Sequence, residues 1–554
     1  MSSEPPPASA AAVEELAAGL APATTEPTPS KNKKQLNKDA RRAERAARRQ
    51  QQPQMQPPAA PGAEDPFAAN YGDVPVEETQ SKAVTGRSWA EVSDLGAEAA
   101  AAGRAVLVRG FAQEIRSLGK MMAFVVLRQG MSSVQCVLAA GADGAGVSKQ
   151  MVAFAKSLTK ESTVEVEGVV AFPKEPLVST TQQVEIHVRK IHCINRVTTT
   201  LPFNLEDAAR SDAESENSGG KQSPHVGLDT RLNNRALDLR TRTNQAIQRI
   251  RHEVKMKFKE FLSSKGFYEI DTPKLIGGSS EGGADVFDLV YHGQPACLAQ
   301  SPQLHKQMAI IGGCRRVFVV GPVFRAETSR THRHLCEFTG LDVEMEIMEH
   351  YFEVCDLIDG LFVSIFKHLT EKCKYELGII NSQYPFEPLK YLDQTLRLTY
   401  EEGIQMLKEA GTEMDPMGDL NTEAERKLGR LVKEKYGTDF FILHRYPSAV
   451  RPFYTMPCYD NPAYSNSFDV FLRGEEIISG AQRIHIPGML AKRAQECGVD
   501  ASTTMSAYME SLSFGAPLHG GFGAGLERVV MLFCGLGNVR MVSMFPRDSR
   551  RISP

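Results

Sequence analysis

The sequence predicts an α+β protein in which a small all-β part precedes a larger mixed part. Three observations carry that reading. Between Arg104 and Arg196, five short runs rich in valine and isoleucine are interrupted by one helical stretch. Further on, two runs, Arg316 to Val323 and Thr339 to Met345, carry apolar residues at a period of two across a loop. Before them, Ile247, Ile250, Val254, Phe258 and Phe261 recur at helical spacing.

At 554 residues the chain can hold two or three domains with a full core. Its net charge of -3 gives no sign of nucleic acid from bulk charge alone. The ten cysteines form no C-x-x-C pair and no metal-ligand spacing with histidine. A reduced intracellular protein without structural zinc is expected. No run of about 18 apolar residues occurs, and the N-terminus is not a basic region followed by an apolar block. Neither a membrane span nor a secretory signal is expected.

Residues 1 to 30 are mostly Ala, Pro, Ser, Thr and Glu, which cannot bury enough apolar surface to order themselves. From Lys31 to Gln51, four lysines and five arginines oppose Asp39 and Glu44, a net charge of +7. Such a segment is either a solvated charged helix or a clamp on a nucleic-acid backbone that gains affinity by counterion release. Residues 52 to 86 are Pro-rich at first and read as a linker, so residues 1–86 form an extension. The strand runs that follow are Ala105–Val108, Ala123–Leu127, Val134–Leu138, Val164–Val170 and Val184–Val188, with a helical piece from Ser148 to Leu158 after the third. That pattern suits an OB-fold barrel over residues 100–197, a common platform for single-stranded nucleic acid. Residues 198–231, rich in Ser, Asp, Glu and Gly, read as a hinge, and the larger mixed part follows over 232–554. There Gly266 ends the helix of Ile247 to Phe261, and Phe267 to Leu275 reads as a strand that stops near Pro273.

In the hairpin, Val317, Val319 and Val323 mark one strand; Leu341, Val343 and Met345 alternate with Asp342 and Glu344 in the other. A half-buried antiparallel pair is expected. The joining loop begins Phe324-Arg325-Ala326-Glu327 and sets His332, Arg333 and His334 side by side ahead of Phe338. An arginine at a strand end beside more cations and an aromatic face can grip a nucleotide, guanidinium on phosphate and ring on base. Taken alone, a basic loop is as well explained by solvated surface. A second element, Gly520-Gly521-Phe522-Gly523-Ala524-Gly525-Leu526-Glu527-Arg528, leads into the apolar run Val529 to Phe533, which reads as a buried helix. A Gly-rich turn before a helix is weak evidence by itself, but Arg528 supplies a second fixed cation.

The order of these elements resembles motifs 1, 2 and 3 of the class II aminoacyl-tRNA synthetases. Gly278 to Gly283, Gln300 to Gln307, Arg473 to Arg483 and Phe545 to Asp548 are similar to the eukaryotic cytosolic aspartyl branch of subclass IIb, over roughly residues 100 to 554. The resemblance implies an antiparallel sheet flanked by helices for the larger part and an anticodon-binding role for the barrel. It implies an enzyme that activates L-aspartate with ATP and transfers it to the terminal adenosine of tRNA(Asp), with Mg2+ as counter-ion to the phosphates. Arg325 and Arg528 match the arginines that serve catalysis. Glu327, Arg333, His334, Leu335, Phe338, Glu476, Gly525, Leu526 and Glu527 join them as the ATP site. Glu476 and Ser479 match the metal side. Glu281, Gln303, Lys306, Arg325, Ser479 and Arg483 match the aspartate site, with Lys306 and Arg483 receiving the side-chain carboxylate. Phe124, Gln135 and Glu185 match base-reading positions, and Pro273 matches a homodimer interface.

Three positions depart from the family pattern: Phe522 among the motif 3 glycines, Arg330 where Asn is expected, and Ile486 where Asp is expected. Two other readings remain open at this point. One is an asparaginyl or non-discriminating Asp/Asn enzyme; the other is a synthetase-like regulator that binds tRNA without catalysis. The basic extension could equally serve assembly into a multi-synthetase complex.

Overall fold

The computed structural model describes residues 65–80, 82–141, 146–211, 225–279, 285–499 and 505–554. The basic segment Lys31 to Gln51 and the expected substrate contact Glu281 lie outside the described residues.

The first folded part is a barrel of β1 (Tyr71–Asp73), β2 (Ala105–Leu118), β3 (Met122–Gln129), β4 (Ser132–Ala139), β5 (Thr163–Ala171) and β6 (Glu185–Asn195), with helix α1 (Lys149–Ser157) after β4. Strand order is β1-β6-β4-β3-β2-β5, and a further β6–β5 pairing closes the barrel. Val108, Val125, Val134, Cys136, Val164 and Ile186 fill it from alternate positions. Ser148 caps α1, its Oγ accepting from the Met151 amide at 3.0 Å. Two features differ from the expectation. Strand β2 runs far past Val108, because a bulge between Ala112 and Glu114 bends it from β5 onto β3. Its second half is too polar to read as a strand. Residues placed in the linker also fold: β1 pairs in parallel with β6, and the Tyr71 ring lies 5.7 Å from Phe154 of α1.

The second part is an eight-stranded sheet. It consists of β7 (Tyr268–Glu269), β11 (Arg316–Phe324), β12 (Glu337–Glu346), β13 (Leu396–Thr399), β14 (Phe440–His444), β15 (Ser467–Leu472), β16 (Glu475–Gln482) and β17 (His519–Gly525). Order is β13-β14-β15-β16-β17-β12-β11-β7; the inner six strands are antiparallel and the two outer pairings are parallel. A separate three-stranded sheet joins β8 (Leu275–Ile276), β9 (Asp288–Tyr291) and β10 (Gln294–Leu298). Among its helices are α2 (Arg242–Ser264), α3 (Gln303–Ile311), α4 (Phe352–Lys372), α5 (Tyr400–Glu409), α6 (Thr422–Tyr436) and α7 (Leu526–Phe533).

One face of the large sheet meets α2, α4 and α7. Ile247, Ile250, Val254 and Phe258 of α2, the very residues that set its period, are buried against Phe362 and Phe366 of α4, Val529 and Phe533 of α7, and Leu341 and Val343 of β12. Full burial of side chains of this size contributes about 1.5–3 kcal/mol each. The expected strand from Phe267 to Leu275 is not continuous. Only Tyr268–Glu269 pairs with β11, while Leu275 belongs to the small sheet, because Pro273 offers no amide to a ladder. The hairpin β11–β12 forms in the expected antiparallel register, Val319 opposite Asp342. It is not half-buried, however: Asp342 and Glu344 are 6% and 0% exposed. The alternation separates an apolar core from a polar cavity rather than core from solvent.

The barrel is seated on the second part by a buried ion network. Arg128 of β3 donates to both the Arg240 carbonyl and Glu161, and Arg240 donates to Glu161 at 3.0 Å while its guanidinium lies 3.9 Å from the Phe111 ring. Replacing Glu161 by Gln should leave Arg128 buried without a counter-charge, at a cost of about 3–5 kcal/mol. Urea unfolding followed through barrel and sheet separately should then show an earlier barrel transition.

Candidate active site

The second face of the large sheet opens on a cavity of about 470 Å3. Its walls come from β12, β16 and β17, the loop after β11, and the start of α7. Alternation decides which residues reach it. On β17, Phe522 turns into the core with Leu341 and Val343, so its departure from a small residue has a place to go. Its neighbours face the other way. A Cβ on Gly521 would stand 2.3 Å from the Glu344 carboxylate, and one on Gly523 3.0 Å from Asp342.

At one end, three guanidinium groups converge. Arg325 follows β11; its amide bonds to the Cys336 carbonyl at 2.9 Å, its Nε donates to the Gln300 carbonyl at 3.4 Å, and its guanidinium lies 5.6 Å from the Phe338 ring. Arg528 sits in the first turn of α7 and donates to the carbonyls of Glu476 at 2.9 Å and Arg333 at 3.5 Å. Arg333 pairs with Glu425 of α6 at 2.5 Å. His334 beside them is pushed below the usual imidazole range, first by burial and then by Arg528 and Arg333. It is a neutral polar group here, with Nδ1 2.7 Å from Thr331 Oγ1. On the facing wall, burial and the Asp469 carboxylate raise the Glu476 carboxyl to about 7. Asp469 is held by Arg451 at 2.6 and 3.0 Å, and Arg451 also donates to Ser479 Oγ at 3.1 Å.

At the other end the charges are buried. Lys306 of α3 is 0% exposed; its ammonium donates to Asp342 at 3.1 Å and to the Phe522 carbonyl at 2.9 Å, with Glu344 at 3.5 Å. Arg483, just after β16, holds Glu344 through Nε at 2.9 Å and through one terminal nitrogen at 3.2 Å, and the same nitrogen reaches Gln303 at 3.4 Å. Burial alone would raise the Glu344 carboxyl; Arg483 and then Lys306 more than reverse this and hold it below the usual carboxylate range. Charge-assisted pairs of this kind are stronger than neutral hydrogen bonds.

Most of the expected residues meet here. Gln303, Arg325, Glu327, Arg333, His334, Leu335, Phe338, Glu476, Ser479, Arg483, Gly525, Glu527 and Arg528 all line the cavity, with Lys306 directly beneath. Two of the expected ATP residues make other contacts. Leu526 is wholly buried in the core and is not part of the cavity wall. Glu527 keeps both carboxylate oxygens on structural partners, Arg251 and the Thr339 amide, each at 2.9 Å. Arg330 turns outward to Asp229 at 3.0 Å, and Ile486 is 46% exposed and off the cavity wall. Sequence reading missed Asp342, Glu344, Asp469, Arg451 and Glu425; the alternation around Asp342 and Glu344 was the one signal that could have found any of them.

On the barrel, Phe124, Gln135 and Glu185 share the outer face, out of register with the core residues Ala123, Cys136 and Ile186. Gln135 donates to Glu185 at 3.2 Å, and Arg116 reaches both Gln135 and Ser179. Phe124 is therefore not barrel core. Pro273 is exposed, as are Tyr268 and Leu275 close to it in sequence and Val290 and Tyr291 on β9 of the small sheet that Leu275 joins.

An antiparallel sheet with two such cavity ends, preceded by an OB-fold, defines a class. The family of class II tRNA synthetases (D, K and N) matches residues 227–549, and the OB-fold nucleic acid binding domain family matches residues 106–194. The chain belongs to the class II tRNA synthetases of the D, K and N group. It is 61% identical over 502 residues to Aspartate--tRNA ligase 2, cytoplasmic, of Arabidopsis thaliana, covering 88% of this chain and 89% of that one. It is 51% identical over 493 residues to the cytoplasmic aspartate--tRNA ligase of Homo sapiens, covering 89% and 96%. Among solved structures, the aspartyl tRNA synthetase of Entamoeba histolytica superposes with a TM-score of 0.81 at 42% identity, over 91% of this chain and 99% of that one. An asparaginyl-tRNA synthetase of Pyrococcus horikoshii reaches 0.72 at 28%, over 84% and 100%.

Because Glu344 is the shared counter-charge of two buried cations, changing it to Gln should destabilise the protein by about 3–5 kcal/mol at neutral pH. Its lowered pKa fixes the sign of the pH effect. The stabilisation is present above the ordinary carboxylate range and is lost as pH falls through the folded value. The gap between wild type and Glu344→Gln in urea midpoint should therefore close on acidification.

Proposed function

We propose that the chain is an aspartate–tRNA ligase that forms aspartyl-adenylate from L-aspartate and ATP and passes the aspartyl group to the 3′-terminal adenosine of tRNA(Asp). One observation carries this reading. A single cavity joins a cluster of three guanidinium groups to a pair of buried cations, the complement of a nucleotide at one end and a side-chain carboxylate at the other. The higher identity to aspartyl than to asparaginyl relatives supports aspartate over asparagine, and the presence of Arg325 and Arg528 together argues against a non-catalytic regulator.

The aspartate α-carboxylate attacks the α-phosphorus of ATP and pyrophosphate leaves; a hydroxyl of the terminal adenosine then attacks the activated carbonyl and AMP leaves. Both nucleophiles arrive with the substrates, so the protein's work is positioning and charge neutralisation. Arg325, which follows β11 beside Gln300 and Phe338, suits the α-phosphate and the attacking carboxylate together. Phe338 and Arg528 suit the two adenine faces, with Glu327 near the ring's amino group. Arg333 and His334 suit the outer phosphates. Asp342, on the cavity wall beside Lys306, suits the substrate ammonium, aided by Gln303 and, from the loop outside the described residues, Glu281.

Glu476 and Ser479 fit a magnesium ion, which takes oxygen donors and accepts only one or two carboxylates beside phosphate oxygens. The raised Glu476 carboxyl is consistent with this, because burial first, and then the neighbouring Asp469 carboxylate, disfavour its charged form, and a cation beside it would offset that. Bound there, the ion would offset phosphate charge. The barrel's outer face suits the anticodon, Phe124 by stacking and Gln135 and Glu185 by edge hydrogen bonds. The +7 extension suits the tRNA backbone. Pro273, with the exposed apolar residues around it, suits a two-fold contact between copies.

Three measurements test this reading. With Arg483→Leu, pyrophosphate exchange driven by aspartate should fall by roughly 30- to 5000-fold in kcat/KM, equivalent to about 2–5 kcal/mol. ATP binding by calorimetry should survive and asparagine should not substitute; exchange at wild-type efficiency would refute the pocket. The KM for magnesium–ATP should rise as pH falls through about 7, where Glu476 gains a proton, and this dependence should vanish in Glu476→Gln. Light scattering at micromolar concentration should give the mass of a dimer, and an active monomer would exclude the two-fold contact.

A further inference from the structure

Glu425 lies outside every motif, on the first turn of α6, yet its carboxylate pairs with Arg333 of the cavity wall. Its pairing with Arg333 is shielded, the two side chains being 15% and 6% exposed for Arg333 and Glu425. Only one terminal nitrogen of Arg333 is used in that bond; its Nε and other terminal nitrogen make no hydrogen bond among the described residues. The neighbouring turn adds a second hold on the same loop: Arg426 and His332 both bond to Glu475, at 2.7 and 2.9 Å. α6 does not need Glu425 for its own attachment, because Ala424, Leu428 and Val432 already pack it into a separate core with Leu407 and Phe441, and Asn421 caps it at 2.9 Å. Burial raises the Glu425 carboxyl, even though Arg333 opposes the shift. A carboxylate kept at such a cost, where packing does not require it, points to a task at the cavity.

We infer that Glu425 is a positioning residue for ATP: it fixes one edge of the Arg333 guanidinium so that the free edge faces the outer phosphates. This rests on the proposed use of the cavity for ATP. An arginine restrained in its bound geometry has less side-chain freedom to lose when the nucleotide arrives. The effect therefore belongs to ATP affinity and not to the aspartate end, where no atom of Glu425 contributes to the Lys306–Glu344–Arg483 set.

The test is a double-mutant cycle on the full chain, read by aspartate-dependent ATP–pyrophosphate exchange. Glu425→Ala should raise the KM for ATP about ten-fold, and Glu425→Gln, which keeps a neutral acceptor of the same shape, about three-fold, with the KM for aspartate and kcat within about two-fold of wild type. In an Arg333→Ala background, Glu425→Ala should change the KM for ATP no further. The same factor in both backgrounds, or an equal rise in the KM for aspartate, would overturn the inference and leave Glu425 a structural residue. Should Glu425→Ala lower the unfolding midpoint, Glu425→Gln decides the matter by the same criteria. A wild type that exchanges pyrophosphate without dependence on aspartate would instead refute the functional reading, a result separable from any outcome of the cycle.

Discussion

A carboxylate with no exposed surface has to be neutralised, and Glu344 meets that demand with two buried cations drawn from distant parts of the chain. Lys306 comes from α3 and Arg483 from the end of β16, and neither could be buried alone without a heavy desolvation cost. Their meeting point fixes much else. β12 must turn Glu344 to the cavity, so Leu341 and Val343 must turn to the helices. β17 must bring a residue without a side chain against Glu344, so Gly521 stands there and Phe522 takes the core side. The same alternation puts Asp342 next to Lys306 and Gly523 next to Asp342. The shape of the pocket floor follows from one requirement of charge balance.

The two ends of the cavity use charge differently. At the floor, cations and carboxylates are matched before any ligand arrives, in a place too dry to tolerate mismatch. At the phosphate end, Arg528 is pushed below its ordinary range by burial, with Glu476 pulling the other way, while Glu476 itself is raised to about 7. Groups so displaced are incompletely satisfied, and a polyanion with its counter-ion relieves both at once. On the proposed use of the cavity, the charge-matched end would choose the substrate and the displaced end would bind the nucleotide.

What the sequence displayed was periodicity and order. The helical spacing from Ile247 to Phe261 and the period of two in the hairpin reflect burial against a single core, and both survive in the fold. The barrel strands were visible for the same reason. Invisible were features that depend on contacts between distant segments. Asp342 and Glu344 carry the signature of an exposed strand face, because alternation reports two unlike environments without saying that the polar one is solvent. The second half of β2 is polar on its outer face and bends at a bulge, so no apolar pattern marks it. β1 gains its place only by lying against β6. Arg451 with Asp469, and Glu425 with Arg333, are ordinary surface charges until α6 and the turn before β15 are brought to the cavity rim. Leu526 illustrates the reverse case: a residue inside a motif whose side chain packs in the core.

The floor's neutrality also bears on how aspartate is told from asparagine. Lys306 and Arg483 against Asp342 and Glu344 make two cations and two anions, and the nearby His519, held below its ordinary range first by burial, adds no charge at neutral pH. A ligand that brings an ammonium and a side-chain carboxylate into this set leaves it neutral. An amide analogue brings the ammonium alone and leaves one buried positive charge without a partner, besides an amide nitrogen turned toward cations that can only donate. Shape cannot separate two nearly isosteric side chains, but an unpaired charge in a buried site can, because its desolvation is not recovered. On the proposed use of the cavity, with the α-carboxylate held apart by Arg325, Glu344 would bear on selection without touching the substrate: by cancelling one of the two cations in advance, it would leave the set balanced only when a side-chain carboxylate accompanies the ammonium.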